Sequence, residues 1–150
     1  MTPGFARRAL VVDDNADNAE SLAVLLHLHG YEVRTAHNGV EALEIGERFH
    51  PRIVLLDIGM PRMNGYEACR ALRGRPWGRE AIVVAQTGWN QSEDRRRSAQ
   101  AGFDAHLVKP IEFVALAELL ASLEQQRATS SPAQAVASVE ADSRRDVLAD

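Results

Sequence analysis

Short apolar runs alternate with longer amphipathic segments over most of this chain. Five runs of strand length can be distinguished, at residues 9–14, 32–36, 53–57, 81–87 and 105–109. A segment whose apolar residues recur at helical spacing follows each run. This alternation is typical of βα units around a parallel sheet. The pattern therefore predicts an α/β fold of five such units, (βα)5, with a five-stranded parallel sheet.

Residues with known capping preferences mark the ends of the predicted helices. Gly30 ends the first helix. Asn38 caps the second, whose apolar positions are Val40, Leu43 and Ile45. Asn64 and Glu67 have the spacing of a capping box at the start of the third helix. The fourth helix is predicted over residues 90–102, where a glycine again ends it. These signals fall where the alternation of strands and helices requires them.

The last part of the chain differs in composition from the rest. Leu116, Leu119, Leu120 and Leu123 form an apolar stripe that predicts a final helix. From residue 127 onward the sequence is rich in Ala, Ser and charge and lacks large apolar residues at a sustained period. The sequence therefore predicts one domain over residues 1–126 and a flexible Ala/Ser-rich tail over residues 127–150.

Composition narrows the functional classes. The formal net charge is −4, so the chain as a whole does not attract nucleic acid, and no helix-turn-helix pattern follows residue 125. Residues 95–97 are three consecutive arginines, interpreted as a solvated helix face or a docking patch. The single cysteine, Cys69, cannot form an internal disulfide, and no secretory signal or membrane span is evident. We expect a cytoplasmic protein that binds neither DNA nor membranes.

Three carboxylates follow two of the predicted strands directly. Asp13 and Asp14 end the first apolar run, and Asp57 ends the third. Thr87 and Lys109 end the fourth and fifth runs. Because the carboxyl ends of parallel strands meet at one edge of the sheet, where the functional crevice of open α/β folds lies, we expect an acidic pocket there.

The predicted pocket has the chemistry for phosphoryl transfer to a carboxylate. Clustered carboxylate oxygens are suitable ligands for Mg²⁺, and the metal offsets their mutual repulsion. An aspartate can attack phosphorus to give an aspartyl phosphate, while a metal ion, an ammonium and a hydroxyl offset the charge on the phosphoryl oxygens. Asp57, in the central predicted strand, is the candidate nucleophile.

The chain resembles a response-regulator receiver domain (CheY-like), the phosphoacceptor module of two-component signalling. The resemblance covers roughly residues 7–125 and rests on four motifs in order: VVDD at 11–14, LLDIGMPRMNGYE at 55–67, QTGW at 86–89 and LVKP at 107–110. It implies a doubly wound, flavodoxin-like sheet in the order 2-1-3-4-5.

The resemblance also implies roles for the acidic residues. Asp57 corresponds to the phosphorylated aspartate and to a metal ligand. Asp14 corresponds to a direct ligand of Mg²⁺, and Asp13 to the acid that holds the metal through water. The backbone carbonyl of Gly59 would complete the protein's ligands. Met60 and Pro61 with Gly65 would shape the adjoining loop.

Further positions correspond to the phosphoryl-binding and switch residues of the family. Thr87 resembles the hydroxyl that turns toward the phosphoryl group, and Lys109 resembles the ammonium that pairs with it. The bond from Lys109 to Pro110 matches the family's cis-peptide position. His106 stands where the family has Tyr or Phe, which departs from the usual aromatic switch. Trp89 occupies a position that faces the phosphorylation site in relatives.

These correspondences imply a signalling switch that catalyses its own phosphorylation and dephosphorylation and is not an enzyme acting on other substrates. The donor would be a histidine kinase or a histidine phosphotransfer protein in a phosphorelay. Phosphorylation would switch the face formed by the fourth helix, the fifth strand and the last helix toward an unknown downstream protein. We expect a monomer or weak dimer.

Three alternatives keep parts of this interpretation. The chain could be the C-terminal receiver module of a hybrid histidine kinase. A transcription regulator would need a DNA-binding region after residue 125. An aspartyl-phosphate phosphatase would need a substrate cap or long specificity loops, whereas the predicted loops are short.

Overall fold

The computed structural model describes residues 7–60, 64–88 and 99–129. Five strands form one sheet: β1 Arg8–Val12, β2 Glu32–Ala36, β3 Ile53–Asp57, β4 Ile82–Thr87 and β5 Ala105–Val108. All neighbours pair in parallel, in the order β2-β1-β3-β4-β5. The predicted fold class and strand order are therefore confirmed.

The described helices begin and end close to the predicted positions, whereas residues 90–98 of the predicted fourth helix lie outside the described residues. They are α1 Ala16–Leu28, α2 Gly39–Phe49, α3 Gly65–Arg73, a short helix Pro76–Arg79 and a C-terminal helix Phe113–Thr129. The Asn38 side chain accepts a hydrogen bond from Glu41 N at 2.8 Å, and Asn64 and Glu67 form the predicted capping box. None of the described helices has the length and apolarity needed to cross a membrane.

The chain divides into two compact units, Met1–Phe113 and Val114–Asp150. The first contains the whole sheet and α1 to α3. In the second, the structure describes a helix that continues to Thr129, past the predicted end of the last helix. Leu116 and Leu120 of the predicted stripe are buried. The boundary at residue 126 and the flexible tail stay predictions.

The central strands are buried on both faces, as their unbroken apolar runs predict. Every residue of β3 and β4 is buried, as are four of the five residues of β1. One face belongs to a core with α2 and α3, to which Leu10, Val12, Val54, Leu56 and Val83 contribute. The strand residues between these point to the opposite face. Burial on both sides fixes the central strands and thus the loops at their carboxyl ends.

Two local features differ from the sequence interpretation. Val40 is 54% exposed, and α2 instead packs through residues such as Ala42 and Phe49. The short helix after α3 was not predicted, although a proline at the first helical turn favours a helix start. Trp77 of this helix donates a hydrogen bond to Glu47 at 3.0 Å, so Trp77 is a packing anchor.

Arg73 joins segments at the edge of the sheet opposite the carboxyl ends. Its guanidinium donates hydrogen bonds to the carbonyl oxygens of Gly102 at 2.6 Å and Ala81 at 2.7 Å. It also pairs with Asp104 at 2.9 Å, whose carboxylate accepts from Val83 N. One side chain thus ties α3 to the beginnings of β4 and β5.

Burial governs the reactivity of Cys69, which lies in α3 and has no exposed surface. Desolvation raises the pKa of the thiol to about 11. Because the thiolate is the reactive form, we expect slow alkylation by iodoacetamide at pH 8, rising about tenfold per pH unit below that pKa. Unfolding in guanidinium should bring the rate to that of a free cysteine. Fast alkylation of the folded protein at pH 8 would contradict the burial.

Candidate functional site

Three carboxylates meet where β1 and β3 end. Asp13 follows β1 directly and Asp57 is the last residue of β3, and these two strands are neighbours in the sheet. One oxygen each of Asp13, Asp14 and Asp57 lies within 4.8 Å of the others. Asp13 has no exposed surface and Asp57 is 6% exposed, whereas Asp14 faces solvent. The predicted acidic pocket is therefore present, with one open side.

The same local turn orients both buried carboxylates. Asp13 Oδ1 accepts a hydrogen bond from Asn15 N at 2.9 Å, and Asp57 Oδ1 accepts one from Gly59 N at 3.0 Å. An aspartate that bonds the amide two residues later is an Asx turn. Each turn satisfies one oxygen and leaves Oδ2 for other partners. The sequence interpretation missed this role of Asn15 and of the Gly59 amide, although Asp at a strand end is a signal for such a turn.

Lys109 bridges the two buried carboxylates. Its Nζ lies 3.1 Å from Asp57 Oδ2 and 3.4 Å from Asp13 Oδ2. The backbone of Lys109 is held by a hydrogen bond from its N–H to Thr87 O at 2.7 Å, and the Lys109–Pro110 bond is cis. The end of β4 thus positions the ammonium against acids that belong to β1 and β3.

The charges in the pocket shift two pKa values. Burial, reinforced by the nearby charge of Asp57, raises the pKa of Asp13, although the Asn15 amide and Lys109 act against the shift. For Lys109, burial lowers the pKa, but the hydrogen bond to Asp57 and the charges of both acids outweigh it, so the pKa is raised overall. One ammonium faces two buried carboxylates and an exposed one, which leaves the pocket net negative.

The donor atoms fit a hard divalent cation. Asp13 Oδ2 is buried and makes no hydrogen bond among the described residues, and its ion-pair contact with Lys109 Nζ is at 3.4 Å. A buried anionic oxygen in this state is costly unless a cation completes its environment. The neighbouring donors are also oxygens, the ligands that Mg²⁺ prefers. The pocket is therefore suited to a magnesium ion entering from the side of Asp14.

Two further predicted site residues, Thr87 and His106, belong to β4 and β5. Thr87 is 3% exposed and ends β4, one residue past the register partner of Asp57. His106 lies inside β5 opposite Ala85, and its ring centroid is 6.4 Å from that of Phe103. The register therefore places Thr87 at the same end of the sheet as the acids, on the strand next to β3, and it places His106 within the sheet, three residues before Lys109.

The loop after β3 packs closely against the site. Gly65 N donates a hydrogen bond to Ile58 O at 3.1 Å, and Met60 is 4% exposed. A Cβ at Gly65 would lie 2.5 Å from Ile58 Cα and 2.7 Å from Asp57 O. Only a glycine allows α3 to begin so close to the backbone of Asp57. Pro61, Trp89 and residues 95–97 of the sequence interpretation lie outside the described residues.

Comparison with known proteins identifies the class. A family model of the response regulator receiver domain matches residues 9–121. The chain belongs to this family, which confirms the resemblance. Response regulator MprA of Mycobacterium tuberculosis is 39% identical over 132 residues, which are 88% of this chain and 55% of that protein. The chain thus spans about half the length of this curated relative.

Solved structures show the same fold. Chemotaxis protein CheY4 of Vibrio cholerae has a TM-score of 0.73 at 28% identity, and the match covers 77% of this chain and 97% of that one. The receiver domain of sensor histidine kinase PA1611 from Pseudomonas aeruginosa has a TM-score of 0.69 at 31% identity, with 76% and 93% covered. That structure is described as having a magnesium ion coordinated in its active-site cleft.

Proposed function

We propose that this receiver accepts a phosphoryl group on Asp57 from the phosphohistidine of a histidine kinase or histidine phosphotransfer protein. One carboxylate oxygen of Asp57 forms a bond to phosphorus while the bond from phosphorus to the donor's imidazole nitrogen breaks. The electron pair of that bond stays on the imidazole, which takes up a proton. The observation that carries the proposal is the position of Asp57 at the end of the central strand β3, between Lys109 and two further acids.

The chain's own groups prepare Asp57 for this reaction. The Gly59 amide fixes Oδ1, and Lys109 lies against Oδ2, so the carboxylate is held in one orientation. Such preorganisation lowers the barrier because no reorientation is needed during the transfer. After transfer, Lys109 would pair with a phosphoryl oxygen and the Thr87 hydroxyl would donate to another. The switch thus rests on two groups from β4 and the segment after β5.

Mg²⁺ would be held by the carboxylates of Asp13, Asp14 and Asp57 and by the Gly59 carbonyl. When bound, the ion supplies positive charge that offsets both the acids and the phosphoryl oxygens. The fit rests on the buried, unbonded Oδ2 of Asp13 and on the open side at Asp14. Lys109 alone cannot neutralise the three carboxylates.

Asp13→Asn should have opposite effects on stability with and without Mg²⁺. Without the ion, the variant should melt at a higher temperature, because it removes a buried charge that lies beside Asp57. With Mg²⁺ at about 100 times its Kd, the parent should gain about 2.7 kcal/mol and the variant much less. Thermal melts with MgCl₂ or EDTA measure both effects. A variant that gains as much from Mg²⁺ as the parent would exclude Asp13 from the metal site.

The proposal is tested by phosphorylation with acetyl phosphate, followed by intact-protein mass spectrometry. We expect one added phosphoryl group in the presence of Mg²⁺ and none with EDTA. Neutral hydroxylamine should remove the group, since it cleaves acyl phosphates and leaves phosphoserine intact. Transfer from a panel of phosphorylated kinases of the same organism would then identify the donor. A stable product that resists hydroxylamine would argue against an aspartyl phosphate.

Phosphorylation would change the face formed by the fourth predicted helix, β5 and the last helix. The added charge gives Thr87 and Lys109 a new partner. This shifts the equilibrium between two conformations of that face. His106, inside β5, would take the place of the usual aromatic switch residue. We propose that this face binds the downstream protein.

A hybrid histidine kinase is the second candidate for the natural context. It is favoured by the similarity to the receiver domain of sensor histidine kinase PA1611. The length of the natural reading frame distinguishes it from a separate receiver. The expectation of no DNA binding rested on the net charge and on the lack of a helix-turn-helix pattern after residue 125. It is withdrawn, because the chain spans only 55% of MprA. A cytoplasmic location stays part of the proposal, in keeping with the free thiol of Cys69.

A further inference from the structure

The outer edge of β2 has the properties of a self-complementary interaction site. β2 ends the sheet and pairs with β1, and no described strand pairs with its other side. An edge strand presents backbone N–H and C=O groups that another strand can bond.

The hydrogen bonds within the sheet show which residues face outward. Ala36 O accepts from Asp13 N, so the backbone of Ala36 faces β1. Because the two polar groups of a strand residue point to the same side and alternate along the strand, Arg34 and Glu32 also face β1. The N–H and C=O of Val33 and Thr35 therefore point away from the sheet.

Two cavities lie beside the outward backbone groups of β2. A cavity of about 770 Å³ and another of about 480 Å³ lie along β2, and both are bordered by Glu32, Val33 and Arg34. The larger one is also lined by Ala23 of α1 and Phe49 of α2. The helices on the two faces therefore leave the edge accessible along the centre of β2.

The charges on this edge alternate in sign. Glu32 and Arg34 are 51% and 58% exposed, and their closest approach within the chain is 4.0 Å, the limit of an ion pair. Arg34 also lies over the Phe49 ring, 5.0 Å from its centroid. Glu32 also lies 3.8 Å from Arg8 Nε. Both ion pairs of Glu32 are long and exposed, so Glu32 and Arg34 can exchange them for partners in a second chain.

We propose that β2 pairs antiparallel with β2 of a second copy of this chain, centred on Val33. In this register the outward N–H of Val33 in each copy donates a hydrogen bond to the C=O of Val33 in the other copy. Glu32 then lies opposite Arg34 of the other copy twice, because the twofold axis repeats each contact. A register centred on Arg34 would place two arginines opposite each other. The charge pattern thus favours the register centred on Val33, and a second copy of β2 supplies the complementary charges.

Sedimentation velocity over about 1 µM to about 1 mM of the full chain tests this pairing. We expect a dimer that weakens at least about tenfold in Arg34→Glu and in Glu32→Arg, since each places like charges opposite one another twice. An equimolar mixture of the two variants should form heterodimers about as strong as the parent's. Arg52→Glu, the same charge change at an exposed site away from this edge, is the matched control.

Val33→Pro tests the backbone contact separately. It removes an N–H that points away from the sheet, so it should abolish the dimer while circular dichroism and the melting temperature stay near those of the parent. Hydrogen exchange of the Val33 amide in the parent should slow as concentration rises. A parent that is monomeric throughout, a dimer that survives all three edge variants, or a β2 edge that is protected only on adding a foreign extended peptide would each overturn the proposal.

Discussion

Asp57→Asn abolishes Mg²⁺-dependent phosphorylation by acetyl phosphate, with an expected loss of at least about a thousandfold in rate, because the nucleophilic carboxylate oxygen is replaced by an amide. The variant should still fold. It removes one of two buried like charges, and Asp57 contributes to the raised pKa of Asp13. Mass spectrometry over a time course measures the loss. A melting temperature at or above that of the parent would show that the loss is chemical.

The matched control is Asp17→Asn. Asp17 is exposed in the first turn of α1 and has no part in the acidic cluster, so the variant removes the same formal charge from the same end of the sheet. We expect it to be phosphorylated at a rate within about twofold of the parent. Persistent hydroxylamine-sensitive labelling of Asp57→Asn would mean that another carboxylate, with Asp14 as the nearest candidate, is the phosphoacceptor.

Gly65→Ala should lower the free energy of unfolding by about 3 kcal/mol, which corresponds to a fall of about 10 °C in melting temperature. The new Cβ would meet Ile58 Cα at 2.5 Å and Asp57 O at 2.7 Å. Both atoms belong to the backbone, so no side-chain rotation can relieve the contact. Relief requires α3 and the end of β3 to separate, which would also displace Asp57. Urea unfolding measures the first effect, and acetyl phosphate labelling the second.

Gly74→Ala is the corresponding control for this steric effect. Gly74 caps the other end of α3 with φ −79°, and a Cβ there would lie 3.4 Å from Ala71 O, an ordinary contact. We expect a change within about 0.5 kcal/mol. Equal destabilisation by both substitutions would show that the close approach at Gly65 is not the cause.

The two predictions address different requirements of the site. Asp57 supplies the reacting oxygen, and Gly65 allows the backbone around it to pack. The position of Lys109 depends on the same packing. Its ammonium reaches Asp57 only because β4 lies between β3 and β5 in the sheet. The chemistry therefore depends on a scaffold whose parts are distant in sequence.

Much of the local structure could be predicted because its causes are local. β2 and β3 have the predicted bounds, since strands in a parallel sheet need short apolar or alternating runs between turn residues. Asn38 and Asn64 cap the helices as predicted, because their side chains bond amides only three residues away. The strand order came from the family resemblance, since apolar periodicity does not specify which strands are neighbours.

The errors in the local prediction have physical causes as well. Val40 is exposed because the buried face of α2 carries Ala42, Gly46 and Phe49, with Gly46 lying directly against Trp77. The short helix Pro76–Arg79 is stabilised by contacts of Trp77 with α2, which the sequence around residue 77 does not reveal. In both cases a contact between distant parts of the chain determined the result: which face of α2 is buried, and whether residues 76–79 form a helix.

By itself, the sequence determined the strands, the helix caps and the acids at two strand ends, because each depends on residues close together in the chain. Only the tertiary structure decided that Lys109 lies between Asp13 and Asp57, that Asp13 is wholly buried and that the edge of β2 is accessible. These properties depend on distances between residues about 40 to 100 positions apart, and such distances are fixed only when helices pack on both faces of the sheet.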